Sequence, residues 1–258
     1  MIGRRRWPFT VPSGGPGLPP RRVRLLALLA ARDEMRFLPG FVANVAPQVD
    51  GIIALDDGSS DDSAGFLESS EHVLEVMRVP PERPAWDEGR NHRSLLEAAA
   101  RHGADWVICV DADERLERDF RKRAERVIAR GRRLGFEAYS VRLRELWDSP
   151  ARFRVDGIWR RKAMARLFRL RDDHEVDPRP LHGLKAPLQA QVAGRYPLAD
   201  LELYHLRMVH APDRLARRRQ YETLDPEARW QPEAGYAYLT DDAGLKLKRP
   251  RRGREFIE

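Results

Sequence analysis

Apolar residues form short, nearly continuous runs over the first half of the chain, and segments with helical spacing lie between them. Phe37, Leu38, Phe41, Val42 and Val45 recur on one helical face, and EGRNHRSLLEAAARHG predicts a helix that ends at a glycine. Strands that are apolar throughout, with helices between them, indicate a parallel sheet covered on both faces. The pattern therefore predicts an α/β fold whose first strands lie at residues 23–31, 51–55, 73–79 and 106–110.

The regular alternation stops at about residue 135. FEAYSVRLRELW and MARLFRL predict further strands, and APDRLARRRQYETL predicts a charged helix. We interpret this part as a mixed extension of the same sheet, so that one domain spans residues 23–245, with halves at 23–118 and 119–245. Dense Pro and Gly predict a flexible basic leader at residues 1–22, and a similar basic tail follows at 246–258.

Acidic clusters follow three of the predicted strands: ARDE after the first, DDGSSDDS after the second and DADE after the fourth. Parallel sheets bind ligands beyond the carboxyl ends of their strands, so we expect these clusters at one edge. In WVICVDADERL, the acidic residues Asp111, Asp113 and Glu114 directly follow a predicted buried strand. They could form a polar loop by which the chain leaves the sheet, or they could form a metal site. Because like charges repel, we also expect Asp113→Asn to leave folding stability unchanged or to raise it.

Composition narrows the class of protein further. The 258 residues are 42% hydrophobic and 34% charged, and the net charge of +7 favours anionic partners such as nucleotides, phosphorylated lipids or nucleic acid. The one cysteine, Cys109, excludes an internal disulfide and is predicted to pack in the core of a protein from a reducing compartment. No run reaches the ~18 apolar residues of a membrane helix. RRVRLLALLAARDE imitates a secretion signal, but we interpret it as the first strand and predict a cytoplasmic protein with possible peripheral contact at the inner membrane face.

Two long segments resemble family 2 glycosyltransferases. LLALLAARDEMRFLPGFVANVAPQVDGIIALDDGSSDDS resembles the family's first strand, polar loop and Asp-Asp-Gly-Ser motif. GRNHRSLLEAAARHGADWVICVDADERL resembles its Arg-Asn helix and Asp-x-Asp motif, so the match covers residues 23–118. The resemblance implies a GT-A-type, Rossmann-like, mostly parallel sheet flanked by helices, and an inverting sugar transfer from a UDP- or GDP-linked donor. The family's Asn-Glu after strand one is replaced here by Arg32, Asp33 and Glu34.

The resemblance also implies roles for individual residues. Mn²⁺ or Mg²⁺ would neutralise charge on the leaving diphosphate, with Asp113 and His205 as metal ligands. A structural histidine is the alternative for His205. The residues implied in nucleotide-sugar binding are Ala31, Asp33, Asp56, Asp57, Arg90 and Asp111.

Several of these residues have a second interpretation from the sequence. Asp56 and Asp57 could merely begin a turn before Gly58, and Ser59 or Ser60 could merely cap a helix. Arg90 would contact a donor phosphate or pin the acidic loops by a salt bridge. The basic segment Trp159, Arg160 and Arg161 would shape the acceptor site or form an exposed loop.

An inverting transfer needs a carboxylate that takes the proton of the acceptor hydroxyl. RDDHEVDPRPLHG offers Asp172, Asp173, Glu175 and Asp177, and we predict Glu175 as the base. Some relatives have His-Glu where this chain has His182 and Gly183.

Other functions compete with this prediction. A nucleotidyltransferase would normally carry a Gly-rich basic loop after strand one, which AARDEM is not. A basic nucleic-acid-binding module would carry a recognisable motif, and none is present. An Asp-x-Asp phosphatase would carry its nucleophile after the first strand and not the fourth. We therefore expect no nucleic-acid partner. The resemblance implies a glycan or lipid-linked acceptor, and the positive charge and arginine-rich ends suggest a lipid-linked or phosphorylated acceptor at the cytoplasmic membrane face.

Overall fold

The fold is described by a computed structural model for residues 10–12, 22–80, 82, 87–177, 179, 183–229 and 235–257. These residues form a nine-stranded mixed sheet with helices on both faces and a separate two-stranded ribbon. The strands are β1 (Thr10–Val11), β2 (Leu25–Ala31), β3 (Ile52–Asp56), β4 (Val73–Arg78), β5 (Trp106–Cys109), β6 (Glu114–Leu116), β7 (Ala138–Glu145), β8 (Phe153–Arg154), β9 (Ala163–Arg169), β10 (Leu198–His205) and β11 (Leu247–Lys248). The helices are α1 (Leu38–Val45), α2 (Ser63–Ser69), α3 (Glu88–Arg101), α4 (Phe120–Arg132) and α5 (Ala211–Leu224).

The order of the strands makes this sheet mostly parallel. It runs β1-β10-β7-β9-β5-β2-β3-β4, and β6 pairs with β10. The block β5-β2-β3-β4 is parallel throughout, and β7, β10 and β1 are parallel to one another. β9 joins the two blocks by running antiparallel to both β5 and β7. The predicted GT-A-type α/β fold with a mixed extension is confirmed.

Two apolar layers cover the sheet. Helices α1, α2 and α4 pack on one face, where Phe41, Leu67 and Phe120 are buried. Helix α3 packs on the other face, together with Leu184 and Tyr196 from the segment before β10. Within the described residues, no helix is long and apolar enough to span a membrane.

The ends of the chain differ from the sequence-based expectation where the structure describes them. Thr10 and Val11, in the predicted flexible leader, pair with Leu198 and Ala199 of β10, and Val11 is buried. The rest of the leader, apart from Pro12 and Arg22, lies outside the described residues. In the basic tail, β11 pairs with β8 as a ribbon. Flexibility was therefore the wrong expectation for residues 10–11 and for the tail as far as residue 257.

One arginine of the tail explains why the tail packs. Glu117 is completely buried, and Arg254 binds both of its carboxylate oxygens, one of them at 2.8 Å. Arg254 also reaches Asp200 at 2.7 Å, and its carbonyl accepts a hydrogen bond from Tyr204. A buried carboxylate needs such a partner because an unpaired charge away from water is costly.

We expect Arg254→Ala to lower the free energy of unfolding by about 3 kcal/mol, because it leaves Glu117 buried without its principal counter-charge. Arg252→Ala is the matched control, since Arg252 is an exposed residue of the same tail. Urea unfolding followed by circular dichroism measures both variants. Equal stabilities would show that the ion pair between Arg254 and Glu117 does not stabilise the fold.

Candidate functional site

The three acidic loops meet at one edge of the sheet, as the sequence predicted. Ala31, the last residue of β2, pairs with Asp56, the last residue of β3, and Leu28 pairs with Cys109 at the end of β5. The strands are parallel, so the loops that follow them leave the sheet on the same side. Ala31 itself is buried, and its carbonyl accepts a hydrogen bond from the Asp57 backbone at 2.8 Å.

Asp33 ties the first acidic loop to the second. Its Oδ1 accepts hydrogen bonds from the backbone N–H of Ser60 at 2.6 Å and from the Ser60 hydroxyl at 2.9 Å. The Ser60 N–H holds the pKa of Asp33 below its usual value. In return, Ser59 Oγ accepts the Asp33 N–H, and Ser63 Oγ accepts the Glu34 N–H. The serines therefore join loops, and the alternative that Ser59 or Ser60 caps a helix is wrong, because α2 begins at Ser63 with Asp62 as its N-cap.

Asp56 and Asp57 are both buried at this edge. Asp56 Oδ2 accepts the Ser59 N–H at 3.1 Å, across a turn in which Gly58 has a φ of 77°. Within the described residues, the other oxygen, Asp56 Oδ1, is buried without a hydrogen-bond partner. Buried carboxylate oxygens are rarely left unsatisfied, so this atom marks a place where a ligand donor would be accommodated.

Arg90 lies in the first turn of α3 and borders a cavity of about 500 Å³ beside the end of β3. Its backbone N–H donates to Asp87 at 2.9 Å, and its side chain lies 3.7 Å from the same carboxylate. The described partner of Arg90 is thus Asp87, the N-cap residue of its own helix, and not a residue of the acidic loops. This favours the phosphate alternative, since the guanidinium stays half exposed.

Asp111, the first acid of the Asp-x-Asp motif, is held by a buried arginine of β9. Arg166 binds Asp111 through two nitrogens, at 2.7 and 3.2 Å, and contacts Glu114 at 3.2 Å. Burial would raise the pKa of Asp111, but Arg166 outweighs it and the pKa is lowered. Burial raises the pKa of Glu114 to about 7 despite the same arginine. The Asp111 side chain remains 50% exposed and therefore accessible to a ligand.

Asp113 is the centre of a second charge network. Its Oδ2 lies 2.6 Å from Arg207 Nε, 3.1 Å from His205 Nε2 and 3.9 Å from Arg217 Nη1. Burial opposes the charge of Asp113, but these cations overcome it and hold its pKa well below the usual value. Arg207 also binds Glu34, so the network links the Asp-x-Asp motif to the loop after β2.

His205 connects Asp113 to Glu145, the last residue of β7. Its Nδ1 lies 2.5 Å from Glu145, which in turn binds Lys162. Burial would lower the pKa of His205, but Glu145 and Asp113 outweigh it and raise the pKa to about 10. The two buried carboxylates, which contact its two ring nitrogens, therefore both favour the protonated form of His205.

The pair formed by Asp113 and His205 fits a divalent cation. Two neighbouring ligands with metal bonds of about 2.1 Å lie about 3 Å apart, and Asp113 Oδ2 and His205 Nε2 are 3.1 Å apart. The hydrogen bond to Glu145 is the kind of contact that orients a metal-binding histidine. The described residues contain no group of three or more His, Cys, Asp or Glu side chains arranged for a metal. Among the described residues, the pair of Asp113 and His205 could therefore supply two ligands to such an ion.

Within the described residues, no hydrogen bond or ion pair joins Glu175 to this cluster. Glu175 is exposed, and its backbone N–H donates to Gln189 at 3.3 Å. Two of the other acids considered as the base are held by arginines, Asp173 by Arg171 and Asp177 by Arg179.

The sequence indicated the carboxylates but not the cations that bind them. Arg166 stands in an apolar strand, which was a signal for a buried partner. Arg207 and Arg217 lie 94 and 104 residues from Asp113, Glu145 lies 60 residues from its partner His205, and no local pattern shows such pairings.

The comparisons with known proteins agree with this fold. No family model matches the chain. It is 28% identical over 236 residues to uncharacterised proteins of Mycobacterium tuberculosis and Mycobacterium bovis, covering 86% of this chain and 57% of theirs. The chain thus spans little more than half the length of these curated relatives.

Among solved structures, Staphylococcus aureus TarS 1-349 is similar with a TM-score of 0.50 and 13% identity, over 83% of this chain and 74% of that one. The structure of the same protein in complex with UDP-GlcNAc has a TM-score of 0.39 and 12% identity, over 48% of this chain and 35% of that one. The first of these similarities shows a shared fold.

The network around Asp113 overturns the expectation that Asp113→Asn leaves stability unchanged or raises it. The three acids of the motif do not repel one another unopposed, because Arg166 binds Asp111 and Glu114, and different cations, Arg207 and His205, bind Asp113. We expect Asp113→Asn to lower the free energy of unfolding by about 3 kcal/mol, since charged hydrogen bonds to Arg207 and His205 are lost.

Asp111→Asn is the control for this variant. It should cost less, because Asp111 is half exposed and Arg166 keeps Glu114 as a partner. Denaturant unfolding at pH 7 without added metal compares the two. If the Asp113→Asn protein is as stable as wild type, the original expectation, which was based on repulsion among the three acids, would be correct.

Proposed function

We propose that the protein is a family 2-type glycosyltransferase that transfers a sugar, with inversion, from a UDP- or GDP-linked donor to an acceptor hydroxyl. The observation that carries this proposal is the meeting of three acidic loops at the carboxyl edge of a parallel sheet, with Asp113 facing His205. The fold shared with TarS and the sequence resemblance support it. A glycan or lipid-linked acceptor of the cell envelope, with the enzyme in the cytoplasm or peripherally at the inner membrane face, completes the proposal.

We further propose that Asp113 and His205 hold Mn²⁺ or Mg²⁺, which would neutralise charge on the leaving diphosphate. Asp113 Oδ2 is covered by Arg207, so the ion and the guanidinium compete for this oxygen. His205 would lose the proton on Nε2 and keep its hydrogen bond to Glu145. Arg207 and Arg217 would then remain beside the site as counter-charges for the diphosphate. Because the described residues supply only two ligands, we expect the ion to bind together with the nucleotide.

The nucleotide would lie along the ends of β2 and β3. Asp56 and Asp57 are acceptors for the N–H groups of the base, and the unsatisfied Asp56 Oδ1 supports this role. Asp111, with half of its side chain exposed, would accept from the donor ribose, and Arg90 would approach a phosphate. Asp33 contributes by fixing the two loops to each other.

The acceptor hydroxyl would attack the anomeric carbon on the side opposite the diphosphate and give its proton to a carboxylate. Glu175 remains our proposed base. In the described part of the chain, no cation forms an ion pair with the side chain of Glu175 or Asp172, whereas Asp173 and Asp177 are held by arginines.

We expect Asp57→Ala to weaken UDP or GDP binding by about 1.5–3 kcal/mol even in the presence of a chelator, because a hydrogen bond to a charged group is lost. UDP is the first nucleotide to test, since TarS was solved with UDP-GlcNAc. Asp62→Ala is the control, because Asp62 is exposed and its side chain caps nothing. Calorimetry measures the nucleotide affinity of wild type and of both variants. Equal affinities in all three proteins would indicate that Asp57 only forms the turn before Gly58. If wild type binds neither nucleotide, the proposed function is wrong.

We expect Glu175→Gln to reduce turnover by about 100-fold or more, the usual contribution of a general base, while the KM for the donor stays the same. Turnover is measured as the UDP released from UDP-GlcNAc when the sugar is transferred to water or to an added acceptor. Asp173→Asn is the matched control in the same segment. An unchanged rate in Glu175→Gln would exclude it as the base and make Asp172 the next residue to test.

A further inference from the structure

A second and larger cavity, of about 1220 Å³, lies next to the Asp-x-Asp motif. Arg166 connects the two, because its guanidinium holds Asp111 while the residue also lines the cavity. Ala165, Leu184 and Tyr196 place the cavity on the sheet face that carries α3. A molecule in this cavity would therefore lie beside the proposed donor site.

Positive charge dominates the wall of the cavity. Its basic residues are Arg160, Arg161, Arg166, Lys185, Arg195 and Lys246. The acidic lining residue, Asp156, is already bound by two nitrogens of Arg154 at 2.9–3.1 Å. As far as the structure describes the chain, Arg160, Arg161 and Lys246 form no ion pair with an acidic side chain. Like charges gathered around one concave space raise its potential and attract an anion.

The same wall has an apolar part. Ile158 and Met164 line the cavity with 44% and 38% of their surface exposed, which is unusual for large apolar side chains. Arg160 and Arg161 belong to the short helix Trp159–Arg161, whose first residue is buried against Trp147. The basic side chains are thus carried by an anchored segment and not by a loose loop.

We propose that this cavity binds the acceptor and that the acceptor carries a phosphate group beside its reacting hydroxyl. The inference rests on the proposed glycosyltransferase function and specifies its substrate class. A phosphate suits the wall because arginine binds its oxygens in pairs and because it carries more charge than a carboxylate. The exposed Ile158 and Met164 would contact the less polar part of such an acceptor. The shared chemistry is a phosphate ester, either of a soluble polyol or of a lipid.

The test is calorimetry with saturating UDP present, so that the donor site is filled. Glycerol 3-phosphate represents the soluble source, farnesyl phosphate the lipid source, and glycerol the neutral counterpart. The test variant is Arg160→Glu/Arg161→Glu, and Lys246→Glu is a second variant on another part of the wall. Arg132→Glu/Arg133→Glu is the matched control, an exposed adjacent pair at the end of α4, on the opposite sheet face. Thermal unfolding and UDP affinity verify that each variant is folded.

We expect at least one phosphate probe to bind wild type and the control, more weakly as salt rises, and glycerol not to bind. The double variant should lose tenfold or more in affinity and Lys246→Glu severalfold, with UDP affinity unchanged. The probe that binds distinguishes a soluble from a lipid-linked acceptor.

UDP binding without binding of either phosphate probe would overturn the acceptor inference and leave the proposed function standing. Equal loss in the test and control pairs would also overturn it, as would binding of a single-stranded oligonucleotide in place of both probes. If wild type binds UDP only weakly, GDP replaces it in the same experiment, and failure of wild type to bind either nucleotide would count against the proposed function itself.

Discussion

Asp113 is a buried carboxylate whose charge depends on cations from distant parts of the chain. Arg207 and His205 come from the end of β10 and the segment after it, and Arg217 comes from α5. Taking an unpaired carboxylate out of water would cost several kcal/mol. Asp113 is therefore stabilised as a buried anion by contacts that form when the second half of the chain docks on the first. In this way one ion-pair network joins the half proposed to bind the nucleotide to the half proposed to hold the acceptor.

The same network defines what the site can do. Asp113 and His205 are spaced as neighbouring metal ligands, but Arg207 covers the carboxylate oxygen that an ion would use. A diphosphate can supply both additional metal ligands and a new partner for the displaced guanidinium. Donor and ion are then expected to bind together. Arg166 binds the other acid of the motif, Asp111, and also lines the basic cavity, so it connects the proposed donor site to that cavity.

Local patterns in the sequence predicted those elements whose own residues show the apolar periodicity of a strand or a helix. Helix α5, the parallel strands and the meeting of the acidic loops followed from apolar periodicity and from the rule for parallel sheets. The partners of the acids did not follow, because Arg166 and Arg207 reach them only after the chain has folded. Strand β1 and the packed tail were missed for a similar reason. Basic, Pro- and Gly-rich composition predicts disorder, but Arg254 is held by the buried Glu117, which is 137 residues away.

The central claim is that Asp113 and His205 hold a divalent ion only in the company of a nucleotide diphosphate. Titration of Mn²⁺ into the protein, followed by electron paramagnetic resonance of the free ion, tests it directly with and without saturating UDP or GDP. After correction for Mn²⁺ bound by the nucleotide alone, we expect weak binding without nucleotide and one tight site with it. That site should be lost in Asp113→Asn. Mn²⁺ affinity that is the same with and without nucleotide, or that survives in Asp113→Asn, would contradict the account.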